Sequence, residues 1–425
     1  MLSPLLIILI MSMIIISFGL KLNVEYEWKY IDFLWDNPQQ KQQAIDSGEY
    51  DPGAIFSLDT DKASGILILS KIFNNSITNK ILVDGRIFVS AARAKGVPAS
   101  VMIITNEKGE GGPLLRPYPD WSWYTKNDCN SITAGVFRVY IKCNYIFILD
   151  SGKYEPNVSI CPAQLLIFDL STDKLVKRII IPPNVADNKN GFGLLTSLTV
   201  FAPHCRNIMN TMIVFIGDSE GYGLVVYNAN TSKFCRIETV FMKPIDTTFT
   251  IANQSFSLAD GIVGMTVIDK NLFFAATAGH TIFTMEVSKL IKCTLTTREA
   301  TKQTQVAATL SGQTGPMASE KCVLFFSNIP KTSIMCADTT KKINSDDMEL
   351  IVQDSEKLQF PSGLKYLPYK PEGELLILTN RFQRIVTNTL NLSETNFRIL
   401  SVDVAQIRKE TNCFASCSYQ NTFTN

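Results

Sequence analysis

Histidine is scarce in this chain of 425 residues, which contains only His204 and His280. Two histidines far apart in the sequence give little basis for a multi-histidine metal site or a histidine-rich catalytic centre. The motifs H-E-x-x-H and G-x-G-x-x-G and the P-loop are absent as well, so the common zinc and nucleotide sites are not expected. The sequence therefore predicts no catalytic residue, no metal site, no cofactor and no enzyme activity.

An excess of charge of either sign is also lacking, because 40 Lys and Arg nearly balance 39 Asp and Glu. The resulting net charge of +1 provides no broad positive field, so nucleic acid and anionic membrane surfaces are not expected partners. Hydrophobic residues make up 46% of the chain and aromatic residues 10%, which indicates a folded protein with a large core.

The N-terminus has an apolar run from Leu2 to Leu20 that contains no charged side chain and is followed at once by Lys21. This pattern predicts a signal peptide over residues 1–20, cleaved at Ser17-Phe18-Gly19 or close by, and a secreted protein comprising residues 21–425. An uncleaved signal anchor is the alternative, because the run is nearly long enough to span a bilayer. After cleavage we expect no membrane association.

Ten cysteines follow this segment. An even number in an exported chain predicts up to five disulfides, with buried free thiols as the alternative, and the sequence alone does not assign the pairs. Five N-x-S sequons add candidate glycosylation sites on exposed loops. They begin at Asn74, Asn157, Asn230, Asn253 and Asn391.

One local pattern recurs every 45 to 68 residues from about residue 100 onward: an apolar run, a short polar break and a second apolar run. Its six copies begin at Val101, Tyr145, Met212, Leu272, Val323 and Leu375. The spacing is counted between the equivalent residues Thr105, Asp150, Asp218, Thr277, Ser327 and Thr379. This spacing is typical of propeller blades, and the nearly continuous apolar first run is typical of a strand buried on both faces. A solenoid or a pair of β-sandwiches is the competing interpretation.

The repeat predicts an all-β fold, namely a six-bladed β-propeller with a central channel, formed as a single domain by residues 21–425. We expect the segment from Val24 to Trp35 to complete a blade or to strap the outside of the ring. Helical signal is sparse, and residues 38–45 are predicted as a short N-terminal helix because proline is tolerated in a first turn.

Acidic residues recur at the breaks between the apolar runs, at Asp150, Asp218, Glu220 and nearby Asp260. The simpler interpretation is turn chemistry, in which the carboxylates cap backbone amides. The alternative is that these carboxylates surround one end of the channel and attract small cations.

Residues Glu110 to Trp123, EGGPLLRPYPDWSW, resemble a diagnostic segment of the major royal jelly protein and Yellow family of insects. Further segments resemble this family in the same order, and the royal jelly branch is the more similar. The family resemblance implies a secreted, glycosylated six-bladed propeller with a binding role. It also implies partners, namely a sterol, a small helical peptide or further copies of the chain. The other similar segments include YEWKYIDF, CPAQLLIFDLSTDKLVKR, GYGLVVYN and LTNRFQ.

A Yellow-related branch in blood-feeding flies binds biogenic amines in the central channel. The resemblance implies a ligand set of Phe360, Ser362, Asn380 and Phe382, in which a hydroxyl and an amide fix the ligand while two phenyl rings stack on it. Ser362 stands where the resembling segment has Thr. Blade core is the alternative role for the two phenylalanines.

The same resemblance implies that six cysteines occupy shared disulfide positions and that Cys336 pairs with Cys413, while the other four cysteines are additional. The six are Cys129, Cys143, Cys161, Cys205, Cys336 and Cys413.

Three functions remain open at this point. The first is a secreted, non-enzymatic protein of the royal jelly class, acting as a nutrient, a carrier, or a salivary or venom component. The second is a scavenger of biogenic amines that uses the channel residues. The third is a melanin-pathway enzyme that converts dopachrome, which requires a positioned acid or base.

Overall fold

The computed structural model describes residues 17–64, 85–125, 128–133, 135–155, 158–368 and 372–417. Six sheets of four or five antiparallel strands follow one another along the chain. The first strands of successive blades contact one another, and that of the sixth contacts that of the first, so the sheets close into a ring. The predicted six-bladed β-propeller is therefore confirmed.

The N-terminal elements and the first three blades occupy residues 17–237. The N-terminal elements are β1 (Ser17–Gly19), β2 (Asn23–Trp28) and α1 (Pro38–Asp46), and blade 1 contains β3 (Ser57–Lys62), β4 (Ile87–Ala91), β5 (Val101–Gly109) and β6 (Gly112–Pro117). Blade 2 contains β7 (Val136–Lys142), β8 (Tyr145–Asp150), β11 (Gln164–Asp169) and β12 (Lys174–Ile180), with the small hairpin β9 (Lys153–Glu155) and β10 (Val158–Ser159) inserted after β8. Helix α2 (Pro183–Ala186) leads to blade 3, which contains β13 (Leu195–Phe201), β14 (Ile213–Asp218), β15 (Gly223–Asn228) and β16 (Lys233–Ile237), with α3 (Ile208–Thr211) between β13 and β14.

The remaining elements form blades 4 to 6 and the C-terminal segment. The hairpin of β17 (Thr248–Ile251) and β18 (Gln254–Ser257) precedes blade 4, which contains β19 (Ile262–Ile268), β20 (Asn271–Ala276), β21 (Thr281–Glu286) and β22 (Gln305–Thr309), with α4 (Val287–Leu290) and α5 (Thr297–Gln303) before β22. Blade 5 contains β23 (Ala318–Glu320), β24 (Val323–Asn328), β25 (Ser333–Asp338) and β26 (Met348–Asp354). Blade 6 contains β27 (Phe360–Leu367), β28 (Glu374–Asn380) and β29 (Phe397–Asp403), with α6 (Phe382–Val386) before β29 and α7 (Val404–Glu410) after it.

Burial explains which strands are apolar throughout. The second strands β14 and β24 are buried at every residue, because a neighbouring blade covers each face of the sheet. The outer strand β22 leaves most of its residues partly or fully exposed. Continuous apolar runs therefore mark the second strand of a blade, which is why the repeat is visible in the sequence.

The N-terminal segment joins the last blade to the first. Strand β2 pairs with β29 and completes blade 6, and Phe33 then forms a parallel bridge to Leu115 on the outer strand of blade 1. Both expectations for Val24 to Trp35 are therefore met, since one part of this segment completes a blade and another lies along the outside.

Five disulfides pair all ten cysteines, so the expectation of disulfide bonds is confirmed. Two of them attach the segment after α7 to blade 5, and another connects the first hairpin of blade 2 to the β13–β14 loop of blade 3. The pairs are Cys129–Cys161, Cys143–Cys205, Cys235–Cys293, Cys322–Cys417 and Cys336–Cys413. The four cysteines that the resemblance implies to be additional bond only to one another.

Two copies of the repeat were assigned wrongly from the sequence. The copy at Val101 is β5, the third strand of blade 1, whereas β4 is the strand equivalent to the first runs of the other copies. In the copy at Leu375, the second apolar run forms helix α6 rather than a strand. The helix predicted over residues 38–45 is confirmed by α1, which starts with a proline in its first turn.

Across the described ranges, the structure contains no helix that is both long and apolar enough to span a bilayer. The predicted signal peptide lies mostly outside these ranges, although Ser17–Gly19 pairs with the edge of blade 5.

Candidate functional site

The four residues of the predicted ligand set come together at one end of blade 6. Phe360 is the first residue of the inner strand β27 and pairs in register with Asn380, the last residue of β28. Ser362 follows on β27, and Phe382 is the first residue of α6. Their proximity results from the antiparallel pairing of β27 with β28.

Asn380 and Ser362 form the polar part of this group. The Asn380 Nδ2 donates to the Ser57 carbonyl at 3.0 Å and to the Ser362 Oγ at 2.9 Å, and its Oδ1 accepts the Phe382 amide at 3.1 Å. Each of these two side chains is only 2% exposed. Both amide protons of Asn380 are therefore already used on Ser57 and Ser362, and its oxygen holds the start of α6. A second lone pair on Oδ1 and the Ser362 hydroxyl proton are left.

Phenylalanine rings surround this polar pair. The centroid of Phe382 lies 5.0 Å from that of Phe360, 5.3 Å from Phe56 and 5.5 Å from Phe256. Phe382 is half-buried, whereas Phe360 is buried. We name Phe56, Phe256, Phe360 and Phe382 the Phe cluster; Phe56 and Phe256 were not predicted as site residues.

The β17–β18 hairpin contributes Phe256 and reaches from the region of blade 4 to blade 6. Phe249 and Phe256 stack on each other at 5.4 Å, and the Gln254 side chain donates to the Thr389 hydroxyl at 2.9 Å. The turn residues Ala252 and Asn253 both have positive φ, as a two-residue hairpin turn requires. The alternation in TFTI and QSFS around this turn is the sequence signal that identifies such a hairpin.

Charged side chains on the inner strands lie next to this group. The Asp59 carboxylate on β3 lies 2.9 Å from the Lys365 Nζ and 3.6 Å from the Arg138 guanidinium, and Arg138 also donates to the Ser362 carbonyl. Asp61, further along β3, accepts the Ile141 amide at 2.8 Å. Burial raises the pKa of the Asp61 carboxyl to about 6.

The acidic residues at the blade breaks have two different environments. Asp150 accepts backbone amides from Thr133 and Gly152. Asp218 accepts the amides of Leu194 and Gly221. The interpretation as turn chemistry therefore describes these two carboxylates.

Glu220 and Asp260 differ from these turn residues because each has a raised pKa. Burial raises the pKa of Asp260 to about 7, the nearby negative charge of Glu220 adds to this shift, and Arg138 opposes it. Burial also raises the pKa of Glu220. A carboxyl with a pKa near neutrality is suited to accept or donate a proton.

The two histidines lie in unrelated places. His204 is exposed on the loop between β13 and β14, while the His280 Nε2 lies 2.6 Å from the Asp246 Oδ2. Within the described ranges, no three His, Cys, Asp or Glu side chains gather closely enough to hold a metal ion.

Three of the sequon asparagines, Asn230, Asn253 and Asn391, are exposed. Asn253 lies in the turn of the β17–β18 hairpin, and the Asn391 amide donates to Glu394 at 3.0 Å. Asn74 and Asn157 lie outside the described residues.

Comparison with known proteins agrees with the resemblance found in the sequence. The family model described as "Major royal jelly protein" matches residues 134–413. Major royal jelly protein 8 of Apis mellifera is 32% identical over 93% of this chain and 93% of the relative. Major royal jelly proteins 9 and 1 of the same species are 31% and 29% identical, covering 92% and 93% of this chain and 90% of each relative. The chain therefore belongs to the major royal jelly protein family.

Proposed function

We propose that this protein is a secreted, non-enzymatic carrier of the royal jelly type that binds a small ligand in its central channel, at the Phe cluster. The observation that supports this proposal most directly is the position of Phe382, a half-buried ring with three other rings within 5.5 Å. Secretion is supported by the five disulfides, which persist in oxidising compartments. A role as nutrient, or as a salivary or venom component, is compatible with the same chemistry.

The Phe cluster favours a ligand with a flat apolar ring system and one polar group. The phenyl faces stack on the ring system, and the polar group bonds to the Ser362 hydroxyl or to the free lone pair of the Asn380 Oδ1. Because Asn380 already uses its protons within the protein, it acts toward the ligand as an acceptor. Amine and hydroxyl donors therefore fit better than carboxylates, which includes both biogenic amines and sterols.

Isothermal titration calorimetry with serotonin, dopamine, octopamine and cholesterol tests the proposal. A micromolar dissociation constant requires about 8 kcal/mol, which ring stacking and one hydrogen bond in a preformed site are able to supply. Phe382→Leu is expected to weaken binding by about tenfold. Phe283→Leu is the matched control, because Phe283 is another half-buried ring that stacks on Phe241 at 4.7 Å.

The outcomes separate the alternatives. Micromolar binding of an amine that Phe382→Leu weakens and Phe283→Leu does not supports the scavenger form of the proposal. Binding of cholesterol alone supports a sterol carrier. Binding of none of the four compounds, together with native mass spectrometry showing no small molecule retained by the secreted protein, contradicts the channel as a ligand site.

A further inference from the structure

A cavity lies beside α1, between the loops of blades 1 and 2. Its volume is about 830 Å³, which is within the range of typical small-molecule sites. The walls come from α1, from the loop between β4 and β5, and from the short 3₁₀ helix Trp121–Tyr124 that connects the two blades. The described lining includes none of the four residues predicted for the channel, so this cavity is separate from the Phe cluster.

Two indole rings form an aromatic wall of this cavity. Trp35 and Trp121 stack nearly parallel, with centroids 5.0 Å apart and planes 18° apart. The Trp35 Nε1 donates to the Asp32 carboxylate at 3.0 Å, and Phe33 packs against Trp121 at 5.4 Å. These contacts fix the rings before any ligand arrives, which lowers the entropic cost of stacking a flat molecule on them.

The floor of the cavity is rigid and polar. The Tyr124 hydroxyl donates toward the Val101 and Tyr118 carbonyls at 2.9 and 2.8 Å. Arg93 is 8% exposed, and its guanidinium donates to the Tyr124 carbonyl at 2.7 Å and to the Thr133 carbonyl at 3.3 Å. A cation held in this way keeps its position when a ligand binds.

The charges of the lining are unequal. Among the described lining residues, Arg93 and Lys95 are cationic and Glu49 is the single carboxylate, which gives a net charge of +1. Lys95 is exposed at the rim, in the loop between β4 and β5. An acidic group on a ligand is therefore favoured over a basic one, because a positive field inside a concave site is screened less than on an open surface.

We propose that this cavity binds a flat aromatic molecule with one acidic group, such as a carboxylate or a sulfonate. The ring system of the ligand stacks on the Trp35 and Trp121 wall, and its acidic group faces Lys95 and Arg93. The chemistry differs from that of the Phe cluster, where the available polar groups favour a donor. The site does not depend on the proposed function of the channel.

Two fluorescent probes with the same rings test this proposal on the full-length secreted protein. 1-Anilinonaphthalene-8-sulfonate has the acidic group, and N-phenyl-1-naphthylamine lacks it. Energy transfer from tryptophan reports binding near the indoles, and the chain has only four tryptophans. We expect the sulfonate to bind at least about fivefold more tightly than the neutral probe, as one partly screened ion pair provides.

Two pairs of matched variants locate the probes. Trp121→Leu is expected to weaken both probes by about fivefold or more, because it removes stacking area. Trp123→Leu is its control, since Trp123 is also half-buried but packs on Phe168 at 4.8 Å and does not line the cavity. Lys95→Glu is expected to weaken only the sulfonate, by about fivefold or more. Lys233→Glu makes the same charge change at an exposed position of β16 and is expected to leave the binding of both probes unchanged.

Several results would overturn the proposal. Equal effects of Lys95→Glu and Lys233→Glu on sulfonate binding would show that the acidic group is not recognised in this cavity. Equal effects of Trp121→Leu and Trp123→Leu on the binding of both probes would show that the rings of the probes bind elsewhere. Loss of probe binding in Phe382→Leu would place the probes at the Phe cluster. Lys95→Glu alters an exposed side chain, so it tests the proposal even if Trp121→Leu fails to fold.

Discussion

Asp61 is a buried acid on the inner strand β3, and its contacts only partly compensate its charge. Its carboxylate accepts the Ile141 and Lys62 amides at 2.8 Å each, and Lys365 attracts it. Burial outweighs these contacts and raises its pKa from 3.8 to about 6. Between these values the folded protein keeps a proton that the unfolded chain has released, so the free energy of unfolding falls as the pH rises.

Asp61→Asn is therefore expected to flatten the pH dependence of stability. Between pH 4 and pH 7 the free energy of unfolding of the wild-type protein falls by up to about 3 kcal/mol because of this residue. The variant lacks this decrease because asparagine does not titrate, although it still offers an oxygen to the Ile141 amide. Urea unfolding at a series of pH values measures the difference. Asp269→Asn, at an exposed turn position with positive φ, is the control and should leave the slope unchanged. Parallel curves for Asp61→Asn and wild type would contradict the prediction.

The residues around Phe382 show what a sequence reveals about a cluster of side chains and what it does not. Phe360 and Asn380 belong to consecutive strands of one blade, so a local motif is enough to bring them together. Phe56 and Phe256 belong to distant parts of the chain. They reach Phe382 only because the ring closes and because a hairpin extends toward blade 6, and no local pattern encodes this contact.

At the scale of single elements, strand β2 closes the propeller. Its last residue, Trp28, is 2% exposed, and its indole N–H donates to the Pro113 carbonyl at 2.7 Å. This hydrogen bond connects blade 6 to the outer strand of blade 1. The ring atoms also lie against Gly112, where a Cβ would approach the indole within 2.7 Å, so the close approach depends on glycine at that position.

Trp28→Ala is expected to lower the free energy of unfolding by about 3–5 kcal/mol, since it removes a buried aromatic ring and one interblade hydrogen bond. Val24→Ala on the same strand is the control. Val24 is 42% exposed, so its truncation is expected to cost less than about 1 kcal/mol. Chemical denaturation of both variants measures the difference. Similar losses for the two would show that β2 contributes through its backbone pairing rather than through the indole.

The elements that were wrongly assigned fail for a common physical reason. Strand β4, IFVSA, contains an unbroken apolar run of three residues, whereas β5 begins with the four-residue run VMII, so the longer run marks this copy of the repeat in the sequence. In α6, Phe382, Ile385 and Val386 have the spacing i, i+3 and i+4 that is typical of a helix, but five residues are too few to distinguish this helix from a second apolar strand of the repeat. Short apolar runs do not distinguish a helix from a strand, and here the tertiary packing decides.

At the scale of the whole molecule, both ends of the described chain are attached to neighbouring blades. Strand β2 pairs with β29 near the start of the chain. Near its end, Cys322–Cys417 and Cys336–Cys413 bind the segment after α7 to blade 5. The ring therefore cannot open at the junction of blades 5 and 6 while these bonds are intact. Periodic apolar runs predict the six blades, but these cross-links depend on the closed geometry.

Removing Cys336–Cys413 tests how much the C-terminal attachment stabilises the ring. The double variant Cys336→Ala/Cys413→Ala is expected to lower the free energy of unfolding by about 2–4 kcal/mol, because the unfolded chain regains the entropy of an open loop. The bond closes a sequence separation of 77 residues, against 32 for Cys129–Cys161. From loop entropy, Cys129→Ala/Cys161→Ala is expected to cost about 0.8 kcal/mol less. Chemical unfolding of both double variants measures which of them loses more free energy of unfolding. A larger loss for Cys129→Ala/Cys161→Ala would show that local contacts, rather than closure of the long loop, dominate the contribution of these bonds.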